Sequence, residues 1–360
     1  MRSRNEKPNE GLAQWLDRFI VAADHGDRVP TIRQLKQRFS ISQRNIEKVL
    51  KPYFESGRLV SRRGSGTVVQ DPGHREPEPE WESDLLVLYR ISDSRLAHTV
   101  LQETEQRLKS RGVSILQMGY SSDEHMLSVL ERIGVFKVCL IQIHFEVLSI
   151  ELLTALKRHA KSIVVDGVSA VGIDADAIGT NWREALSIAF RQLEGKGHRK
   201  IGFLTSSHEA RQIAMARREF EVLSGWLPEP DSGYLLEIDR LPGAMQIEDI
   251  KNALRPSLDE NGKLPFTALI VWGVVEGFML QRALTDLKQD IGAGLSVIML
   301  GSTDFYSEHI EVFNMVGNSN TEKLDTFERV LLERIAFSGS KPKAHYLKIG
   351  QVEHGSVQQV

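Results

Sequence analysis

The sequence predicts an α/β protein, with a doubly wound parallel sheet in its larger part and a small, mainly helical unit before it. Three observations carry this. Beyond residue 84, short apolar runs alternate with segments of helical period, the pattern of βαβ units whose strands are buried on both faces. Residues 71–84 read DPGHREPEPEWESD; prolines block helix and ladder hydrogen bonds and the like charges repel, so an extended linker is expected. Charge is unevenly divided, with 15 Lys+Arg against 8 Asp+Glu in residues 1–75 and a net charge of −3 for the whole chain. A basic head on an acidic body suggests that the head meets a polyanion.

The chain has 360 residues, 41% apolar and 26% charged, enough for two or three domains with a core that needs no disulfide or metal. The single cysteine, Cys139, excludes a disulfide framework and a CxxC-type zinc site. The first residues, MRSRNEKPNE, are charged where a secretory signal is apolar, and no run of about 18 apolar residues follows. Neither secretion nor a membrane partner is expected, and the expected compartment is the cytoplasm.

In the head, GLAQWLDRFIVAADH (11–25) places Leu12, Trp15, Leu16, Phe19 and Ile20 at helical spacing. Pro30 and Thr31 open a second helix, with Thr31 as its cap and Leu35 and Phe39 on its apolar side. After the turn SIS, Ser42 caps a third helix, QRNIEKVLKPYFESG, whose inward residues are Ile46, Val49, Leu50 and Tyr53. Gln43, Arg44, Asn45 and Lys48 fall on or near its leading outer turns, and Gly57 ends it. RLVSRRGSGTVV then reads as strand, tight turn and strand. Helix, helix, turn, helix and wing is an arrangement suited to duplex DNA: a helix fits the major groove, and Arg, Gln and Asn reach base edges from its first turns. A basic hairpin beside it holds phosphates. The GSGT turn lacks GxGxxG spacing and runs into a strand, which excludes a nucleotide-binding glycine loop.

Residues 26–69 resemble the winged helix of GntR-type bacterial regulators, matching at Pro30, Arg33, Leu35, Ser42, Ile46, Leu50, Gly57, Gly64, Gly66, Thr67 and Val69. Gln43, Asn45 and Glu47 depart from the usual residues, and Pro52 falls inside the recognition helix, where it is expected to disturb the later turns. The resemblance implies a winged helix-turn-helix over 1–70, followed by the linker 71–84. It makes Arg33, Gln43, Arg44, Asn45, Lys48, Arg62, Arg63 and Gly66 the DNA-contact candidates. A merely solvated basic face and a protein-binding winged helix are the competing readings.

In the body, the strand-like runs are LLVLY (85–89), VSILQM (113–118), VCLIQI (138–143), SIVVD (162–166), KIGFL (200–204), TALIVW (267–272) and LSVIML (295–300), and no short-period repeat is visible. SIVVDG, GTNWREA, LEGKGHRKIGFL, TALIV and LSVIML, in that order, resemble the periplasmic-binding-protein-like sensor of LacI/GalR repressors. The resemblance implies a two-lobed α/β ligand-binding and dimerisation domain over 85–360. Ligands of open α/β sheets sit beyond the carboxyl ends of strands. The effector candidates are therefore Ser92, Asp93, Tyr120, Asp166, Arg217, Trp272 and Asp304, with Arg95, Ser206, Ser207, His208, Arg211 and Ser302 at similar places. Asp166 is either a ligand acceptor or a turn residue, and Trp272 either stacks on a sugar ring or fills the core. His198 and Arg199 belong to a helix–turn–strand junction. The chain departs from the pattern after TALIV, where Trp272-Gly273 replaces Asn-Asp, after LSVI, where Asp304 is displaced, and at Ala216, where a sugar-binding Arg is usual; Arg217 lies next to it.

No HExxH or GxSxG occurs, and the paired carboxylates Asp174 and Asp176 fall in a loop without an evident base. No catalytic residue, metal site or cofactor is expected. The function expected is a homodimeric, ligand-responsive transcriptional regulator, a repressor released from a double-stranded operator by a small polar effector, a carbohydrate among the candidates. A solute-binding protein or an enzyme-like body is the alternative, and neither accounts for the head.

Overall fold

Side-chain caps set the limits of the first helices in this computed structural model, which describes residues 6–24, 26–62, 66–70, 81–92, 94–144, 148–168, 173–305, 311–337 and 339–360. Helix α1 spans Glu6–Ala22, α2 Ile32–Phe39 and α3 Gln43–Glu55. The Gln34 N–H donates to Thr31 Oγ1 at 3.3 Å while the Thr31 N–H donates to Gln34 Oε1 at 2.8 Å, a capping box at the start of α2. Ser40 ends α2 in the left-handed region (φ 51°), and Ser42 caps α3 through the Asn45 N–H. Pro52 is accommodated within α3, which continues to Glu55. It removes one N–H close to the helix end, and the Ser56 N–H still donates to its carbonyl at 2.9 Å.

Strand β1 (Leu59–Arg62) pairs antiparallel with β2 (Gly66–Val69). Residues 26–29 add a further edge to β2: the Gly26 N–H donates to the Val69 carbonyl and the Val29 N–H to that of Thr67. This edge is short and carries Pro30, so no strand pattern announced it. Leu12, Leu16, Leu35, Ile46, Leu50 and Leu59 form the core of this part. The chain divides into two compact units, Met1–Pro79 and Glu80–Val360.

The second unit begins with β3 (Trp81–Arg90), so residues 81–84 of the expected linker are strand. There follow α4 (Arg95–Ser110), β4 (Ile115–Tyr120), α5 (Asp123–Leu130), β5 (Val135–Gln142), α6 (Ile150–His159), β6 (Ala160–Asp166) and β7 (Asp176–Gly179). The chain crosses into a second lobe with α7 (Trp182–Gly195), β8 (Ile201–Ser206), α8 (Arg211–Ser224), β9 (Gly233–Ile238), α9 (Ile247–Leu254), β10 (Ala268–Trp272), α10 (Gly277–Asp286), β11 (Ser296–Leu300) and β12 (Asn314–Asn318). Helix α11 (Asn320–Ala336) and β13 (Ala344–Tyr346) return to the first lobe, and β14 (Ile349–Val352) to the second.

The first sheet has the order β13-β7-β6-β5-β3-β4 and is parallel. The second, β14-β12-β11-β10-β8-β9, is parallel except for β14. Alternate residues of each strand enter opposite cores. Leu86, Cys139 and Ile163 face one side of the first sheet, and Leu85, Val138 and Val164 the other, with Phe327 and Leu331 of α11. Phe203 and Ile270 of the second sheet meet α7 and α8, while Leu204 and Leu269 meet α9 and α10. This two-sided burial is why the strands read as continuous apolar runs. Among the described residues no helix is long and apolar enough to cross a membrane.

The junction at GHRKIGF is structural. His198 bonds Thr267 Oγ1 at 2.8 Å and the Gln358 carbonyl at 3.2 Å. Gly197, at φ +95°, leaves room for the Val360 carbonyl, which would lie 2.6 Å from a Cβ there.

Candidate functional site

On the first unit, Arg33, Gln43, Arg44 and Lys48 are exposed and Asn45 is half-buried. Gln43 donates to Glu47 Oε1 at 2.8 Å. Gly66, at the start of β2, has φ +76°. Arg63 and the Arg62 side chain lie outside the described residues.

In the second unit, a cavity of about 160 Å³ lies between the lobes, beyond the carboxyl ends of both sets of strands. From the first lobe it is lined by Ser94, Leu96 and Val100 of α4 and its cap, by Gln142, which ends β5, with Ile143 and His144 after it, and by Asp166, which ends β6, with Gly167 after it. From the second come Trp182, Gln212, Pro242, Trp272–Val275, Met299–Ser302, Met315 and Asn318. Asn320 and Lys323, one turn of α11 apart, face it together.

The polar groups form a network. Lys323 Nζ lies 2.8 Å from Asp166 Oδ1, and Gln142 Nε2 donates to Asp166 Oδ2 at 3.0 Å. Thr180 Oγ1 donates to Asn318 Oδ1 at 2.7 Å, tying two of the crossing segments together. His144 pairs with Ser92 through a short Nε2···Oγ contact. Burial pushes its imidazole down to about 4, with Lys323 and His98 adding to the fall and Asp166 opposing it, so the ring is neutral at pH 7. The buried Asn320 Oδ1 has no hydrogen-bond partner among the described residues. An indole pair forms part of the wall: Trp182 and Trp272 lie 5.4 Å apart, tilted by 34°.

Asp166 and Trp272 are thus brought to one cavity. Trp272 is only 3% exposed and packs into the core of the second lobe, and it also borders the cavity. Ser92 lies behind the cavity, on His144. Three candidates go elsewhere. Tyr120 is buried in the first lobe's core with the Arg90 guanidinium 5.8 Å from its ring, because the strand end fixes its depth but not its face. Arg217 is bound to Glu237, Glu209 and the Ser207 carbonyl on the flank of α8. Asp304 caps α11, accepting from the N–H groups of Asn320 (2.5 Å) and Thr321 (3.2 Å) and from Ser319 Oγ (2.6 Å). Asp93 lies outside the described residues. Asp176 begins β7 rather than lying in a loop, and it is held by Arg334 at 2.6 and 2.9 Å.

The sequence reading missed Gln142, His144, Thr180, Asn318, Asn320 and Lys323. His144 follows the run VCLIQI, so the strand-end rule reaches it, whereas Gln142 lies inside that run. The other four flank β7 and β12, which were not recognised.

Among the described residues no group of three or more His, Cys, Asp or Glu side chains could hold a metal ion. No protein-family model and no curated protein matches the sequence. Solved structures do match by fold. A LacI family transcriptional regulator from Enterococcus faecium with bound ribose superposes with a TM-score of 0.61 at 15% identity, over 76% of this chain and 99% of that one. A LacI transcriptional regulator from a Rhodococcus species gives 0.61 at 15%, over 77% and 99%. The LacI family regulator CCPA from Weissella paramesenteroides with bound glucose gives 0.60 at 15%, over 77% and 98%. At these identities the likeness establishes the two-lobed, parallel-rich α/β fold that these regulators share.

Proposed function

We propose that the chain is a ligand-responsive DNA-binding regulator, a repressor whose hold on its operator is released by a small molecule in the inter-lobe cavity. The observation that carries this is the pairing, in one chain, of a helical unit exposing Arg33, Arg44 and Lys48 with a two-lobed body enclosing a polar network. In this reading residues 1–70 form a winged helix-turn-helix of GntR type. Gln43, Arg44 and Asn45 read bases, while Arg33, Lys48, Arg62, Arg63 and the Gly66 backbone hold phosphates. Residues 71–84 connect it to a sensor over 85–360. The fold neighbours with bound ribose and glucose support a small organic effector. The protein acts in the cytoplasm as a homodimer, two-fold symmetry letting two heads read two half-sites. The ligand favours one lobe geometry and thereby changes DNA affinity through linkage.

Selection from randomised duplexes with the full chain tests this. Affinity falls with salt, each neutralised phosphate adding about −0.9 to the slope of log K against log[salt]. Arg62→Ala weakens all sequences alike, whereas Arg44→Ala blunts discrimination between operator and random duplex. Absence of duplex binding, or binding insensitive to salt, overturns the reading.

A further inference from the structure

The charges of the cavity compensate one another. Lys323 is neutralised by Asp166, and His144 is uncharged at pH 7. The first N–H groups of α11, which would otherwise attract an anion, are taken by Asp304 and Ser319. Several of the hydrogen-bond donors on the described wall are spent within the protein as well. Gln142 and Lys323 donate to Asp166, Thr180 to Asn318, Ser302 to Asp304, and Asn318 to the Ser319 carbonyl. Among the described buried side chains that line the cavity, the atom left without a partner is an acceptor, Asn320 Oδ1, on a side chain that is 7% exposed, and the half-buried Gln212 amide lines the cavity as well. Most of the remaining wall is apolar: Val100, Trp182, Trp272, Val275, Met315 and Leu347. A sugar brings several hydroxyls, each needing both donors and acceptors, and burying them here would leave several unmet.

We infer that the cavity takes an uncharged, mainly apolar ring compound carrying one hydrogen-bond donor, a cyclic or aromatic alcohol, rather than a polyhydroxylated sugar. The donor meets Asn320 Oδ1, and the ring lies against the Trp182–Trp272 wall. The volume of about 160 Å³ fits one six-membered ring with small substituents, since an apolar cavity of about 150 Å³ accommodates benzene. The inference rests on the regulatory reading for its biological sense, but its chemistry stands on the cavity alone.

The test is thermal shift and calorimetry on the full chain with phenol, cyclohexanol, benzene, ribose and glucose as probes. Phenol or cyclohexanol raises the melting temperature and binds more tightly than either sugar. Asn320→Leu, close in volume, weakens phenol by roughly tenfold or more while leaving benzene unchanged, because only phenol loses a buried hydrogen bond. Should that variant fold poorly, Val100→Phe, which fills the cavity from α4, abolishes phenol and benzene binding alike. Tighter binding of ribose or glucose, or no binding of either ring alcohol, overturns the inference. A duplex-binding assay run in parallel separates the two readings. Phenol that binds without altering DNA affinity supports the inference and overturns the regulatory role, whereas release by ribose with phenol inert does the reverse.

Discussion

His144 is a histidine kept neutral by its surroundings, and its placement has a measurable consequence. Burial lowers its pKa from 6.5 to about 4, so on acidification the unfolded chain takes up this proton first. Stability therefore falls as pH drops from 6.5 towards 4 and levels off below. A shift of this size corresponds to about 3 kcal/mol. Burial also lowers His198, so His144→Gln is expected to flatten the profile only in part. Urea unfolding of the full chain and this variant between pH 7.5 and 4.5 checks it, and parallel slopes would show that the imidazole titrates normally. At this scale the strand-end rule brings a polar side chain to the cavity where that side chain also faces it, as Asp166 does. It failed at Tyr120 and Asp304, where position along the chain was right but the side chain turned to the core or to a helix end, a choice made by packing that spacing alone does not reveal.

Among the elements, α11 carries the most consequence, since its first turn supplies Asn320 and Lys323 to the cavity. Its start is held twice, by Ser319 Oγ accepting from the Glu322 N–H at 3.2 Å and by the Asp304 carboxylate on the two preceding N–H groups. Burial tends to raise the Asp304 pKa, but bonds from Ser319, Asn320 and Thr321 overcome it and hold the carboxyl below its ordinary value. The stabilisation is complete above the ordinary carboxylate pKa and lost as pH falls towards the lowered one, an acid window separate from that of His144. Asp304→Ala should cost about 1–2 kcal/mol through loss of the cap and of its charge at the helix start. Chemical denaturation measures this, and Asp304→Asn, which keeps an acceptor, should cost less. All seven apolar runs identified in the sequence are strands, because strands covered by helices on both faces must be apolar throughout. The missed strands are of other kinds. β7 and β12 are short with polar ends, β9 and β14 lie at sheet edges, and β13 has three residues. The site residues missed beside β7 and β12 follow from that blind spot.

Across the body as a whole, the lobes are two separately hydrogen-bonded sheets joined by the segments after β7, β12 and β13. With so few covalent connections, their mutual geometry is set by what touches across the cavity, which is the requirement for a ligand to bias it. One contact stands out. Gly243, whose N–H donates to the Gly273 carbonyl at 2.8 Å, has φ +87°, and a Cβ there would lie 3.1 Å from Ser94 Cβ and 3.4 Å from Val275 Cγ2. Beside it, Arg95 and Glu276 approach to 3.8 Å from opposite lobes. A β-branched residue at Gly243 is strained by the positive φ and props the lobes apart by its bulk. Gly243→Val is therefore expected to weaken the ring alcohols by roughly tenfold, the scale on which population of a closed state limits apparent affinity, while DNA affinity without ligand stays as in the parent chain. Calorimetry with phenol gives the first quantity and a duplex titration the second. Small-angle scattering should show phenol compacting the parent chain more than the variant. Equal phenol affinity in both would mean that the lobes close without the Ser94–Gly243 contact and that the network around Asp166 alone sets the geometry.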